Sequence, residues 1–310
     1  MGYRLKQEEL LGDGITRIIQ EQIDKALRDL DRTEENVTRG VHESRKRFKR
    51  IRAVLRLVRD EIGEETYQRE NVCFRDAGRR LSGARDSTVL VATLDGISRH
   101  FAEQLSPDAF AHVRSALVDR DRNINEKVVE DKNTPAEVSD MTRVAAGRVA
   151  SWSFSHHDFS LIEKGLHRVY KRGRKALADA YAEPNAENFH EWRKRVKYFM
   201  YHIRILRPLW PRPMKALAKE LDVLSDHLGD DHDLAELHSF LHRNPEICDS
   251  EKEMEILSAL IEQRREELQS MAQPIGERIY AQKPGALVDR FAAYWQAWRE
   301  NAAAKRQRSM

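Results

Sequence analysis

The chain has 310 residues, of which 34% are charged, yet its formal net charge is only +3. It can therefore form one large domain or two of about 150 residues, and its surface is not uniformly basic. Two cysteines, Cys73 and Cys248, exclude a disulfide framework. Residues 1–11 contain no apolar signal core, and no run reaches the roughly 18 apolar residues of a membrane span. These properties predict a soluble, cytoplasmic protein.

Helical periodicity dominates the first third of the chain, where glycine and proline are sparse and almost no segment alternates with a period of two. The predicted helices cover residues 12–30, 41–62, 65–81 and 86–97, with Asp86 as a possible N-cap. Four amphipathic helices are the number that a helical bundle requires. Residues 1–105 are therefore predicted to form a first four-helix repeat, and the fold class is predicted to be all-α.

Residues 106–155 are predicted to be connecting helices, because Ser106-Pro107 and Thr134-Pro135 are helix-start signals. A second four-helix repeat is predicted over residues 156–245, followed by C-terminal helices in residues 246–310. The helices of this second half are expected at residues 158–181, 188–207, 214–228, 229–242, 250–273 and 285–300.

One motif occurs twice. His42-Glu43-x-Arg45-Lys46-Arg47-x-Lys49 returns as His190-Glu191-x-Arg193-Lys194-Arg195-x-Lys197, at an offset of 148 residues. At an offset of 147, Leu81, Arg85 and Asp86 align with Leu228, His232 and Asp233. Two helices in each half therefore match in order and in spacing, which indicates a duplicated unit.

Each copy of the motif predicts a helix with one cationic and one apolar face. At roughly 100° per residue, most cations following His42 or His190 lie near that histidine, and the apolar residues lie opposite. The segment from Arg45 to Arg59 contains no acidic residue. Like charges at i,i+4 repel, so the pattern favours a polyanion site, although charge runs are usually only solvated faces.

These residues resemble the CHAD family (conserved histidine α-helical domain). The resemblance rests on the paired histidine-led basic helices, on Tyr170-x-x-Gly173-Arg174 before the second of them, and on the opening Tyr3-Arg4-Leu5-Lys6. It implies two four-helix bundles about a pseudo-twofold axis with a basic central cleft or pore. Members are understood to bind inorganic polyphosphate, and some associate with polyphosphate granules.

The resemblance and the cationic faces together identify candidate polyphosphate-binding residues. They are His42, Arg45, Lys46, Lys49, Arg50, Arg52 and Arg56 in the first copy, His190, Arg193, Lys194, Lys197 and Arg204 in the second, and Arg79, Arg85 and Arg174 elsewhere. Neither a cofactor nor a metal ion is expected, and catalysis is not needed. The histidines could add positive charge near pH 6 to 7, so binding is expected to tighten on mild acidification.

The second copy departs from the family pattern. Tyr198 and Met200 occupy positions that are usually basic, and His232 replaces the arginine found at Arg85. Asp222 and Asp226 align with Arg75 and Arg79. The second half is therefore expected to bind less strongly, or from a different face.

Three other functions remain open from the sequence. The basic faces would suit nucleic acid, but Trp192 and Phe199, which could stack on bases, fall on the apolar face. A metal-dependent phosphohydrolase could use His232 and Asp233 together with His227 and His202. A phosphorelay module would need one exposed histidine. No β-rich segment with alternating glutamates is present, so triphosphatase activity is not expected.

Overall fold

The computed structural model describes residues 2–31, 33–81, 83–130 and 133–308, and side chains within residues 2–31, 39–81, 87–127 and 133–301. Over these residues the chain is all-α, without strands, as predicted. The helices are α1 (Leu11–Asp31), α2 (Thr33–Leu57), α3 (Arg59–Ile62), α4 (Glu64–Arg80), α5 (Gly83–His100), α6 (Ala111–Glu130), α7 (Asn133–Ala150), α8 (Ser160–Ala182), α9 (Ala186–Leu206), α10 (Pro211–Arg243), α11 (Glu251–Ile279) and α12 (Pro284–Arg308). None of the described helices is both long and apolar enough to cross a membrane.

A first bundle is formed by α1, α2, α4 and α7, each of which packs on two of the others. The apolar residues of α1 recur at the spacing of a single helix face. Ile15, Ile18, Ile19 and Ile23 all lie on that face and are fully buried. Fully burying such a side chain contributes about 1.5–3 kcal/mol, so this stripe is a main source of stability for the bundle.

A second group consists of α8, α9, α10 and α11, with α12 packed on α8. A separate hydrophobic cluster joins α5 and α6 to the C-terminal half of α10 and to α11, through Leu94, Val113, Leu237 and Ile261. The helices of residues 1–105 are thus divided between the two cores, and α7 completes the first bundle. The boundaries of the proposed repeats and the pseudo-twofold axis stay predictions.

The 33-residue helix α10 is continuous, whereas the sequence predicted a break at Gly229. The predicted helix start at Gly229-Asp230-Asp231-His232-Asp233 is therefore wrong. A Cβ atom at Gly229 would lie 3.7 Å from the guanidinium of Arg193. That distance is an ordinary van der Waals contact, so the position has no steric requirement for glycine. The packing of α10 on α9 and α11 offsets the helix-propensity cost of the glycine, about 1 kcal/mol.

The two basic helices cross at Ala53 of α2 and His202 of α9. Nε2–H of His202 donates to the carbonyl oxygen of Ala53 at 2.8 Å, and both residues are fully buried. The pKa of His202 is lowered to about 4, mainly by burial and in smaller part by the charge of Arg56, against the opposing effect of the hydrogen bond to Ala53. The histidine is therefore neutral at physiological pH and joins the two halves through an uncharged contact.

Candidate polyanion-binding clefts

The second basic helix shows how the apolar and cationic faces are separated. Phe189, Trp192 and Phe199 of α9 are fully buried, which confirms the prediction that they belong to the core. The opposite face of α9 carries His190 and, further along, Arg204. These two residues are 14 positions apart, so the cationic face extends over about 21 Å of helix.

A first cleft of about 880 Å³ lies between α2, α5, α6, α9 and α10. It brings together predicted residues from both motif copies, since Arg45 and Lys49 of α2 face His190 and Arg193 of α9. The cleft is also lined by two further cations, Arg120 and Arg243, and by three acids, Glu187, Asp233 and Glu236. The sequence did not single out Arg120, whose guanidinium lies 4.9 Å from the ring centroid of Phe240.

Two histidines pair in the first cleft. The Nδ1 atoms of His190 and His232 are 3.1 Å apart, and the ring centroids are 4.2 Å apart. For a hydrogen bond, one Nδ1 must donate and the other accept, so the rings adopt different tautomers. Burial lowers the pKa of His232 to about 3, with additional lowering from His190, Arg193 and Lys49.

The pKa of His190 is also lowered, again first by burial and then by Lys194 and Arg193. A group whose pKa is lowered releases its proton more readily, so His232 is neutral between pH 6 and 7 in the ligand-free protein, and His190 is less protonated there than an ordinary histidine. This finding does not favour the expected tightening of binding on mild acidification through these two histidines.

A second cleft of about 960 Å³ lies at the other end of the cationic face of α9. It contains the predicted residues Arg50 and Arg204. Its remaining charged lining residues are Arg4, Arg207, Arg212, Lys215, Lys219 and Asp222. None of these five additional cations was predicted as a binding residue, although Arg4 belongs to the opening motif. Arg212, Lys215 and Lys219 share one face of α10 at a spacing of i, i+3 and i+7.

Between the clefts lies Lys197, which is partly buried. Its pKa is lowered, first by burial and then by the neighbouring Arg193. Asp222 and Asp226 of α10 act in the opposite direction, and Asp222 forms an ion pair with Arg204. The acids aligned with Arg75 and Arg79 therefore lie close to the basic face of α9, while the predicted weaker binding by the second half stays a prediction.

Some candidate residues face neighbours outside the clefts. Lys46 pairs with Glu43 at 2.8 Å, and Lys194 pairs with Glu191. His42 lies beside Glu43, whose pKa is lowered mainly by Lys46 and in smaller part by Arg47 and His42.

The other candidates outside the clefts contact neighbours on several helices. Arg52 donates to Oδ1 of Asn71 at 3.1 Å, and Arg56 stacks on Tyr198 with its guanidinium carbon 4.0 Å from the ring centroid. Arg79 is exposed on the last turn of α4. Arg174 donates to the carbonyl oxygen of Gln282 at 3.4 Å. Arg85 lies outside the residues whose side chains are described.

The described residues contain no group of three or more histidine, cysteine, aspartate or glutamate side chains arranged to hold a metal ion. Of the histidines considered for a phosphohydrolase, His202 is fully buried at the helix crossing and His232 pairs with His190. The arrangement offers fixed cations and neutral imidazoles, which are groups that can bind phosphate oxygens.

The structure resembles two solved proteins at low sequence identity. PptA from Streptomyces chartreusis is 15% identical, with a TM-score of 0.64 over 88% of this chain and 100% of that chain. The CHAD domain from the plant Ricinus communis is 14% identical, with a TM-score of 0.57 over 95% of this chain and 94% of that chain. No curated protein matches in sequence. The CHAD domain family model matches residues 18–242, well over half of the sequence. The chain therefore belongs to the CHAD domain family.

Proposed function

We propose that this protein binds inorganic polyphosphate without catalysing a reaction. The observation that carries the proposal is the convergence of Arg45 and Lys49 of α2 with His190 and Arg193 of α9 on one cleft. Residues from two motif copies, 148 positions apart, thereby form one cationic site. Membership of a family whose members are understood to bind polyphosphate supports the same ligand.

Polyphosphate matches the chemistry of this surface. Arginine offers bidentate hydrogen bonds to phosphate oxygens, and lysine offers a compact charge. A basic face about 21 Å long can contact several phosphates in succession. Neutralising a row of phosphates releases condensed counterions, so the affinity is expected to fall steeply as salt increases.

Nucleic acid fits the site less well. Binding of single strands usually relies on aromatic side chains that stack on bases. Trp192 and Phe199 are fully buried, and Tyr198 is covered by Arg56. Phe240, which lines the first cleft, is 8% exposed and lies beneath Arg120. The clefts thus offer charge to a phosphate chain and few accessible rings to a base.

Two histidines of the first cleft face each other. His190 and His232 each direct Nδ1 at the other ring, which leaves Nε2 of each ring for a phosphate oxygen. Attraction to long polyphosphate would also bring the protein to polyphosphate granules, which we include in the proposal as its cellular consequence.

A competition titration tests the proposal. Labelled long-chain polyphosphate is displaced from the full chain by unlabelled polyphosphate, single-stranded DNA, duplex RNA or ATP at several salt concentrations. The double variant Arg45→Ala/Arg193→Ala is compared with Lys164→Ala/Lys171→Ala, which removes the same charge from exposed positions of α8. We expect polyphosphate to compete best, and only the first variant to lose affinity, by at least about tenfold.

Two outcomes would contradict the proposal. Equal competition by DNA or RNA would mean that the clefts bind polyanions in general. Equal losses in the two double variants would mean that net charge, and not the cleft, determines the affinity. Circular dichroism and urea unfolding of each variant establish that a loss of binding is not a loss of folding.

A further inference from the structure

The second cleft carries a larger excess of positive charge than the first. It is lined by seven arginine and lysine side chains and one carboxylate, whereas five such cations and three carboxylates line the first cleft. The carboxylate, Asp222, is already paired with Arg204. Among the side chains that the structure describes, none of the other six cations pairs with a carboxylate.

One of these cations is held in place away from solvent. Arg50 is partly buried, and its pKa is lowered, first by burial, with Arg47 and Arg204 contributing in the same direction. Its guanidinium carbon lies 5.7 Å from the ring centroid of Tyr3. A cation that is desolvated and close to like charges costs free energy, which a bound anion would recover.

An N-terminal strap, residues 2–7, contributes Gly2, Tyr3 and Arg4 to the wall of the cleft. The hydroxyl of Tyr3 donates to the carbonyl oxygen of Arg50 at 2.9 Å. The backbone N–H of Leu5 donates to the carbonyl oxygen of Ile205 at 3.2 Å. Leu5 is buried, and Arg17 donates to the carbonyl oxygen of Arg4 at 3.0 Å. The strap therefore has fixed attachments to α1, α2 and α9, and it places Arg4 at the cleft.

The opposite wall is the beginning of α10. Pro211 is the first residue of this 33-residue helix, whose N-terminal end adds the positive end of the helix dipole. The exposed side chains of Arg212, Lys215 and Lys219 extend the cationic wall from that end. Ala216 and Ala218 are the small apolar residues between them.

We propose that the second cleft is an independent site for a linear triphosphate group. Its cations come from both walls of a cleft of about 960 Å³, so they can surround a compact anion of several charges. Arginine forks are suited to the terminal oxygens of such a group. Arg50 and Arg204 belong to the candidate polyphosphate residues, whereas the other five cations of this cleft do not, so the inference rests on the proposed function and deepens it by assigning a short ligand to this cleft. The triphosphate could belong to inorganic tripolyphosphate or to a nucleoside triphosphate.

Calorimetric titration of the full chain with inorganic tripolyphosphate tests the site. The triple variant Arg212→Ala/Lys215→Ala/Lys219→Ala should bind at least about tenfold more weakly than the wild type. The control Lys164→Ala/Lys171→Ala/Lys252→Ala removes the same charge from exposed positions outside both clefts and should change the affinity by less than about twofold.

Wild-type affinity in the triple variant would overturn the proposal, as would an equal loss in the charge-matched control. A parallel titration with ATP identifies the source. Equal affinity for ATP and tripolyphosphate supports recognition of the triphosphate alone, and tighter binding of ATP supports a nucleotide as the ligand. Failure of ATP to bind while tripolyphosphate binds supports the inorganic chain.

A second measurement avoids substitutions. Tripolyphosphate should slow the chemical acetylation of Lys215 and Lys219 in the wild type, relative to the exposed Lys164, and unchanged rates would overturn the proposal. Titration of the same proteins with long-chain polyphosphate separates this inference from the proposed function. If long chains do not bind but tripolyphosphate binding depends on α10, the proposed function fails and the second site stands. If long chains bind but tripolyphosphate binding does not depend on α10, only the proposal of the second site fails.

Discussion

Replacing His202 by glutamine is expected to remove a pH-dependent part of the stability of the chain. The ring of His202 is fully buried where α2 crosses α9, and its Nε2–H donates to the carbonyl oxygen of Ala53. A glutamine amide can donate to the same oxygen but does not titrate. The substitution therefore removes the titrating imidazole but keeps a hydrogen-bond donor for Ala53. The change of side-chain shape lowers the stability by the same amount at all pH values.

The size of the pH effect follows from the pKa. In the folded state the pKa of His202 is lowered from 6.5 to about 4, with burial as the main cause. The unfolded chain thus binds more protons than the folded chain between these values. Stability from neutral His202 is fully present above pH 6.5 and is lost as the pH falls through 4. At pH 4.5 the loss is about 2.5 kcal/mol, since each pKa unit corresponds to about 1.4 kcal/mol.

Urea unfolding at pH 7.0 and pH 4.5, followed by far-ultraviolet circular dichroism, measures this effect. The destabilisation caused by His202→Gln should be about 2.5 kcal/mol smaller at pH 4.5 than at pH 7.0. His157→Gln, at an exposed position, is the control and should show no such difference. Equal destabilisation of His202→Gln at both pH values would refute the assignment of His202 as a buried neutral imidazole.

Three further predictions follow from the packing and charge of the molecule. Gly165→Ala should destabilise the chain by more than about 3 kcal/mol in urea unfolding, because the new Cβ would lie 1.9 Å from a backbone oxygen of α2. Gly147→Ala, in a helix with open space around the glycine, should be neutral or stabilising by up to about 1 kcal/mol. Arg265→Leu should lower the free energy of unfolding by about 3–5 kcal/mol in the same assay, because it leaves the buried carboxylate of Asp231 without its cation. A smaller decrease than in a variant of an exposed arginine would contradict this. The contribution of His232 to the affinity for long-chain polyphosphate should be unchanged between pH 7.5 and pH 6, because its pKa is about 3. A tightening that His232→Gln abolishes would contradict this and would show that the bound anion raises this pKa into that range.

The all-α fold and the faces of the basic helices could be predicted because they depend on local periodicity. The helix expected at residues 188–207 is Ala186–Leu206 in the structure. Phe189 and Trp192 are buried as their spacing predicted. In each case the neighbouring apolar residues lie three or four positions away along the chain, so the pattern that predicts the helix and its buried face can be read from a single sequence.

The choice of packing partners could not be predicted in this way. The first bundle is completed by α7, while α5 joins α6 and α10. This arrangement depends on contacts between helices that are distant in sequence, which periodicity does not encode. The continuity of α10 through Gly229 is similar, because the helix is supported there by its packing on α9 and α11, which local periodicity does not encode.

The division of the cations between two clefts follows from helix geometry together with the crossing of α2 and α9. Arg45 and Arg50 are five residues apart, so they point about 140° away from each other on α2. Arg45 consequently lines the first cleft and Arg50 the second. Ala53 is fully buried beneath His202, and its small side chain permits the close approach of α9. A phosphate chain that contacts both arginines must therefore follow α9 from one cleft to the other, past Lys197. The two clefts are expected to act as one site only for chains long enough to cover that distance, and as separate sites for shorter ones.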